Sequence, residues 1–324
     1  MSNQKKPLPR ITLKNLRPPY DEADGDYVYF VDAADNPFRH DARDFELVNA
    51  WWLCEAATLA YSEPDTIRRI FTEKTPLRNV RDFSTGGGTQ CFVASDDDFA
   101  VVAFRGTETS PRRGPRPDFR EMFLDIVADA DIRASVFGEG VNVHRGFREA
   151  VDEVWEGGGL KEYVSGLPSR TVWFTGHSLG AALATLSAAR SPRLDGLYTF
   201  GSPRVGDAGF AAAFARLLSE KGIEYYRFVN NNDVVTTVPL TALPPTVIFK
   251  HVGALKHIDA AGRIHSSLAL FERLKDRVRG LLPVDAAGRL NASFFNLIPD
   301  AIEDHVPTLY ATHIWNAYVE ESNG

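Results

Sequence analysis

The stretch Val172-Trp173-Phe174-Thr175-Gly176-His177-Ser178-Leu179-Gly180-Ala181-Ala182-Leu183-Ala184 narrows the fold more than any other part of the chain. An apolar, β-rich run enters a pair of glycines around a serine, and a run of small residues leaves it. A G-x-S-x-G pattern alone arises by chance in roughly one chain in ten of this length, so its flanks decide its meaning. A strand that turns sharply into a helix is the setting in which such a serine is held in strained geometry with its hydroxyl exposed. Glycines tolerate the crowding of the turn, and small residues let the helix lie close to the sheet. The helix N-terminus then offers unsatisfied amides and the positive end of its dipole to a developing negative charge. Ser178 is therefore the candidate nucleophile.

The rest of the chain alternates. The apolar spacing predicts a helix over 45–60, and Gln90–Ala94 and Phe99–Phe104 read as a hairpin joined by Asp96-Asp97-Asp98. Helices are expected over 147–163, 179–190 and 208–221, and strands over 171–175, 197–200 and 225–229. Strands alternating with helices argue for an α/β fold with a mostly parallel central sheet flanked by helices. Residues 1–44, rich in Pro and acid, read as an N-terminal arm with a strand at 27–31, leading into a domain over 45–324. The segment 267–282 places Leu270, Phe271, Leu274, Val278 and Leu281 on one helical face and basic residues on the other. This is a surface helix packed on its own core, or one lying on an anionic membrane.

Composition excludes several classes. The chain has 36 basic and 43 acidic residues, a net charge of −7, which is not the basic footprint of a nucleic-acid binder. No apolar run is long enough to span a bilayer. The two cysteines, Cys54 and Cys91, sit in apolar surroundings and read as buried free thiols. With no apolar leader visible in MSNQKKPLPR, a cytoplasmic protein is expected, secretion being the alternative. No convincing His/Cys/Asp cluster suggests a metal, and no cofactor is expected.

A serine hydroxyl needs a base to take its proton, and the base needs an orienting acid. Asp233, beyond the strand at 225–229 in Asn230-Asn231-Asn232-Asp233, is a candidate acid, although such a cluster also suits a turn or a cap. His251, His257, His265, His305 and His313 follow it, and chemistry alone does not separate them. The His177 side chain should point away from the serine hydroxyl, as a packing residue.

Five ordered blocks carry a resemblance: Phe104-Arg105-Gly106-Thr107, Val143-His144-Arg145-Gly146-Phe147, Thr175–Ala181, Thr199-Phe200-Gly201-Ser202-Pro203-Arg204-Val205-Gly206, and Asn232-Asp233-Val234-Val235-Thr236-Thr237-Val238-Pro239. Through them, over roughly residues 45 to 318, the chain resembles the class 3, or fungal-type, lipases of the α/β-hydrolase superfamily. The resemblance implies a carboxylic ester hydrolase, foremost a triacylglycerol lipase, with Ser178 as nucleophile, Asp233 as triad acid and His305 as base. His305, preceded by Asp304 and followed by Tyr310, fits the family pattern, with His313 second. His251 matches a structural segment. The amides of Thr107 and Leu179 would form the oxyanion hole. A lid is implied at about 108–124, where this chain is Pro- and Arg-rich instead of carrying the usual amphipathic helix. The partner is then a lipid or other ester, with transient contact to a lipid interface. Phospholipase A1-type or short-chain esterase activity would use the same machinery, and a catalytically silent lipid-binding scaffold is the alternative from a different class.

Overall fold

The computed structural model describes residues 3–12, 15–16, 18–106, 134–138, 140–239, 248–266 and 303–324. Its centre is an eight-stranded sheet. Strands β1 (Asn79–Ser84), β2 (Gln90–Ser95) and β3 (Phe99–Phe104) form an antiparallel meander at one edge. From β3 the sheet continues in parallel through β6 (Thr171–His177), β7 (Gly196–Phe200), β8 (Tyr225–Asn230) and β9 (Ala254–Ile258). The short β10 (Ile264–His265) closes the far edge antiparallel to β9. A separate two-stranded ribbon pairs β4 (Ala134–Gly138) with β5 (Val141–His144). With helices on both faces, this is the α/β-hydrolase architecture expected from the sequence.

The local reasons are visible in the residues. Every residue of β3, β6, β7 and β8 is buried, as strands covered on both faces must be. Helix α1 (Leu47–Leu59) is apolar almost all round, with twelve buried residues, so it lies under the sheet rather than on the surface. It packs against β6 and against the C-terminal helix α7 (Pro307–Asn323). One core fills this face, with Trp51, Trp52, Trp173, Tyr198, Phe228, Tyr310 and Trp315 among its side chains. The other core lies under α3 (Arg145–Asp152), α5 (Leu179–Arg190) and α6 (Ala208–Lys221). Asp207 caps α6 by accepting from the Phe210 amide at 2.8 Å, and Gly222 ends it in the left-handed region.

Two readings of the sequence need correction. No strand forms at 27–31; these residues are turns, with Phe30 at φ 49° and Asp32 at φ 66°. Tyr29 and Phe30 are buried by packing, and their amides go to the side chains of Glu22 and Glu55 instead of to a ladder. The helix expected over 147–163 is broken: α3 passes into a π-helical turn, Glu153–Gly157, and a short α4, Leu160–Ser165, follows. The run Gly157-Gly158-Gly159 explains the break, since successive glycines favour chain reversal over helix. Several further elements have no counterpart in the reading, among them α2 (Pro64–Lys74), started by its proline; the exposed edge strand β1; the ribbon β4–β5; the sheet edge β9–β10; and α7. Both cysteines are free and buried. The segments 108–124 and 267–282 lie outside the described residues, apart from which no helix is long and apolar enough to cross a membrane.

Candidate active site

The turn between β6 and α5 carries Ser178 at φ 58° and ψ −130°, a conformation that costs a non-glycine residue of order 1–3 kcal/mol and persists only when its surroundings impose it. Two approaches impose it here. A Cβ on Gly176 would collide with the Gly180 carbonyl, and one on Gly180 with the Phe104 carbonyl at the end of β3. The glycines of the motif thus let α5 start directly over the sheet edge. The Ser178 amide donates to Phe200 O at 3.0 Å, which ties the turn to the end of β7. Ser178 is 3% exposed, and its Oγ has no hydrogen-bond partner among the described residues. Nucleophile–base bonds in substrate-free sites are commonly long and tighten when substrate binds. Leu179 is the first residue of α5, so its amide has no carbonyl four residues before it within the helix. Thr107 lies outside the described residues.

Asp233 follows β8 and starts a 3₁₀ turn, Val234–Thr237, accepting from Val235 N at 2.9 Å through Oδ1. This is the capping role that such a cluster suggests, and the other carboxylate oxygen does something different. Asp233 Oδ2 accepts from His305 Nδ1 at 2.8 Å and from Tyr310 OH at 2.5 Å. Tyr310 OH in turn accepts from Asn230 N at 2.9 Å. Burial and then the neighbouring Asp233 charge push the Tyr310 hydroxyl well above its usual range, so it stays a proton donor. With Nδ1 committed to Asp233, His305 keeps Nε2 for chemistry.

The two halves meet across Gly201, at the end of β7. Its φ is +60°, and a Cβ there would stand 2.8 Å from Asp233 Oδ2 and 2.8 Å from His305 Cε1. Gly201 N donates to Phe228 O at 3.1 Å, one residue beyond the carbonyl that receives the Ser178 amide. Ser178, Asp233 and His305 are therefore brought to one sheet edge, all three at most 3% exposed.

The other histidines are engaged elsewhere. His251 Nε2 donates to Thr236 O at 2.8 Å, His257 Nε2 donates to Asn231 O at 3.1 Å, and His265 Nε2 pairs with Asp259 at 2.9 Å. His313 lies against Gly262. His177, expected to be a packing residue, uses both ring nitrogens. Nε2 donates to the His305 carbonyl at 2.8 Å, and Nδ1 accepts from Tyr61 OH at 2.9 Å. The rings of His177 and His305 lie 4.4 Å apart. Burial, and then the His305 ring, hold His177 well below the ordinary histidine range, so it is a neutral linker. Sequence reasoning did not give Gly201, Tyr61 or the bonds of His177 a role. Their signals were present in the Gly201-Ser202-Pro203 block and in the motif histidine, but their contacts are tertiary. Among the described residues no three His, Cys, Asp or Glu side chains are grouped as a metal ion would require.

Comparison with known proteins follows the same residues. Residues 101–243 match the family model described as "Lipase (class 3)". A secreted mono- and diacylglycerol lipase of Fusarium solani is 34% identical over 178 residues, covering 52% of this chain and 46% of the relative. The chloroplastic phospholipase A(1) DAD1 of Arabidopsis thaliana is 43% identical over 76 residues, 21% of this chain and 16% of the relative. Among solved structures, lipase II of Rhizopus niveus aligns with a TM-score of 0.49 at 26% identity, over 65% of this chain and 79% of that one. The chain spans less than half the length of the curated relatives it matches here. The cytoplasmic expectation is overturned by the Fusarium relative, which is a secreted protein. Scarce cysteines were a poor guide to compartment, because a chain of 324 residues buries enough surface to be stable without disulfides wherever it works.

Proposed function

From the match of residues 101–243 to the class 3 lipase family, we propose that the chain hydrolyses carboxylic esters of acylglycerols, triacylglycerol among them, through an acyl-enzyme. Ser178 Oγ attacks the ester carbonyl as His305 Nε2 takes its proton. Asp233 holds the imidazole tautomer and stabilises the imidazolium that forms. The amides of Leu179 and Thr107 hold the oxyanion, each such donor lowering the barrier by about 3–4 kcal/mol. His305 returns the proton to the departing alcohol, and water, activated by the same imidazole, releases the acid.

The observation that supports this reading best is the convergence of a strained, buried serine with a His305–Asp233 pair at one edge of the sheet. The Fusarium relative supports acylglycerols as substrates and work outside the cell. A phospholipase A1-type activity is the second reading, favoured by the Arabidopsis relative. Hydrolysis of nitrophenyl esters from short to long acyl chains, by wild type and Ser178→Ala together, tests the proposal. Activity that rises with chain length and vanishes in the variant is expected. Equal activity in both proteins would contradict it, and preference for the shortest chain would make the enzyme an esterase. Acid release from phosphatidylcholine relative to trioleoylglycerol decides between the two lipid classes.

A further inference from the structure

The run Asn230-Asn231-Asn232 immediately precedes Asp233. We propose that it is a receptor for the histidine loop and that Asp304, seated in it, is a positioning residue that fixes where His305 Nε2 lies. This rests on the reading of Ser178, Asp233 and His305 as the triad.

His305 and Asp233 are 72 residues apart in sequence and come from different loops, so the imidazole is placed only as well as one loop is seated on the other. Each asparagine makes one of the seating bonds. Asn231 Nδ2 and Asn232 N both donate to Asp304 Oδ2 at 3.0 Å, and Asn230 Nδ2 donates to Asp304 O at 2.9 Å. A carboxylate accepts without donating, which suits an oxygen that meets two N–H groups. The receptor is itself rigid. Asn231 sits at φ 40°, in the left-handed region that asparagine tolerates better than most residues. Its amide donates to Ile258 O at 2.7 Å, and its carbonyl accepts from His257. Asp233 N closes the turn on Asn230 O at 2.8 Å. The acid loop is thus pinned to β9, and the residue before the catalytic histidine is pinned to the acid loop.

The two carboxylates of this turn divide the work. Asp233 faces the imidazole, while Asp304 Oδ2 accepts from the asparagines. Loosening Asp304 leaves the His305–Asp233 bond able to form but lets the ring shift with its loop. A misplacement of about 1 Å in such a site costs on the order of a hundredfold in rate.

The test measures kcat and KM for nitrophenyl butyrate, with Tm, in wild type, Ser178→Ala, Asp304→Ala, Asp304→Asn and Asn231→Gly. Asp304→Ala should lower kcat by about 10- to 100-fold with KM within about twofold. Asp304→Asn keeps an acceptor oxygen and should recover much of the loss. Asn231→Gly keeps the left-handed backbone, removes one donor and should cost kcat about fivefold, the scale of one ordinary hydrogen bond. Adding it to Asp304→Ala should cost nothing more. A kcat in Asp304→Ala within twofold of a Ser178-dependent wild type would overturn the proposal alone, whatever happens to Tm. Should that variant not fold, unchanged kcat in both Asp304→Asn and Asn231→Gly would overturn it equally, and a lowered kcat in Asn231→Gly would support it. Wild-type activity that survives Ser178→Ala would overturn the triad reading and this proposal with it.

Discussion

Ser178 and the Asp233–His305 pair meet at one sheet edge but are built in opposite ways. The serine is placed by about ten consecutive residues: strand β6, two glycines whose missing Cβ atoms admit the backbone, and the first turn of α5. The acid–base pair is placed by side chains from distant segments. Tyr310 and Asn230 hold the acid, and the His177 ring holds the histidine main chain. A locally built half tolerates remote change and fails when its own glycines change. A half assembled from distant segments fails by degrees, as each supporting contact is removed.

Substitutions sharpen that contrast, from the largest expected effect downward. Ser178→Ala and His305→Ala should each lower kcat by about 10⁶-fold, since removing one member of a serine triad disables the whole unit, while circular dichroism and Tm stay near wild type. Asp233→Asn should lower kcat by about 10⁴-fold by favouring the wrong imidazole tautomer. Gly201→Ala puts a methyl group 2.8 Å from the His305 ring and Asp233; a loss of about 10²-fold in kcat is expected, far more than in Tm. Tyr310→Phe leaves the buried Asn230 amide and Asp233 Oδ2 each short of a partner. Urea unfolding should register a loss of about 1–3 kcal/mol, with kcat reduced about tenfold.

The smallest effect is one of pH. His177 is held neutral in the fold, its pKa well below the 6.5 it has when exposed. Below that value the unfolded chain binds a proton that the folded chain refuses. The contribution of a neutral His177 is therefore complete above pH 6.5 and is lost as pH falls, by up to about 1.4 kcal/mol per pH unit. The fall of Tm between pH 7 and pH 5 should be shallower in His177→Gln, which keeps a donor for the His305 carbonyl. An unchanged slope would show that His177 takes up its proton in the fold as readily as in the unfolded chain.

The same division decides what was legible in the sequence. The strand–turn–helix around Ser178 could be read directly, because its apolar run, glycines and small residues are contiguous. The alternation that follows gave β6, α5, β7, α6 and β8 in order, because covered parallel strands are apolar throughout. Asp233 could be named as a candidate but not distinguished from a capping residue, and it turns out to use one oxygen for each role. Five histidines could not be separated by composition, and only the resemblance favoured His305. What brings His305 to Asp233 is the packing of α7 against α1, where Trp315 and Trp51 lie 4.7 Å apart. No short window of sequence carries that contact. The polar edge strand β1 and the buried turns at 27–31 were missed for a related reason. Periodicity reports which face is buried, and here packing rather than a ladder determined it.

The most direct measurement is the rate and position of covalent labelling by a long-chain fluorophosphonate, read by peptide mass spectrometry in wild type and His305→Ala. A single adduct on Ser178, formed at least 10³-fold more slowly in the variant, is the expected result, because the serine is activated only by that imidazole. An adduct on another residue, or labelling of Ser178 at the same rate without His305, would contradict the assembly of these three side chains into one catalytic unit.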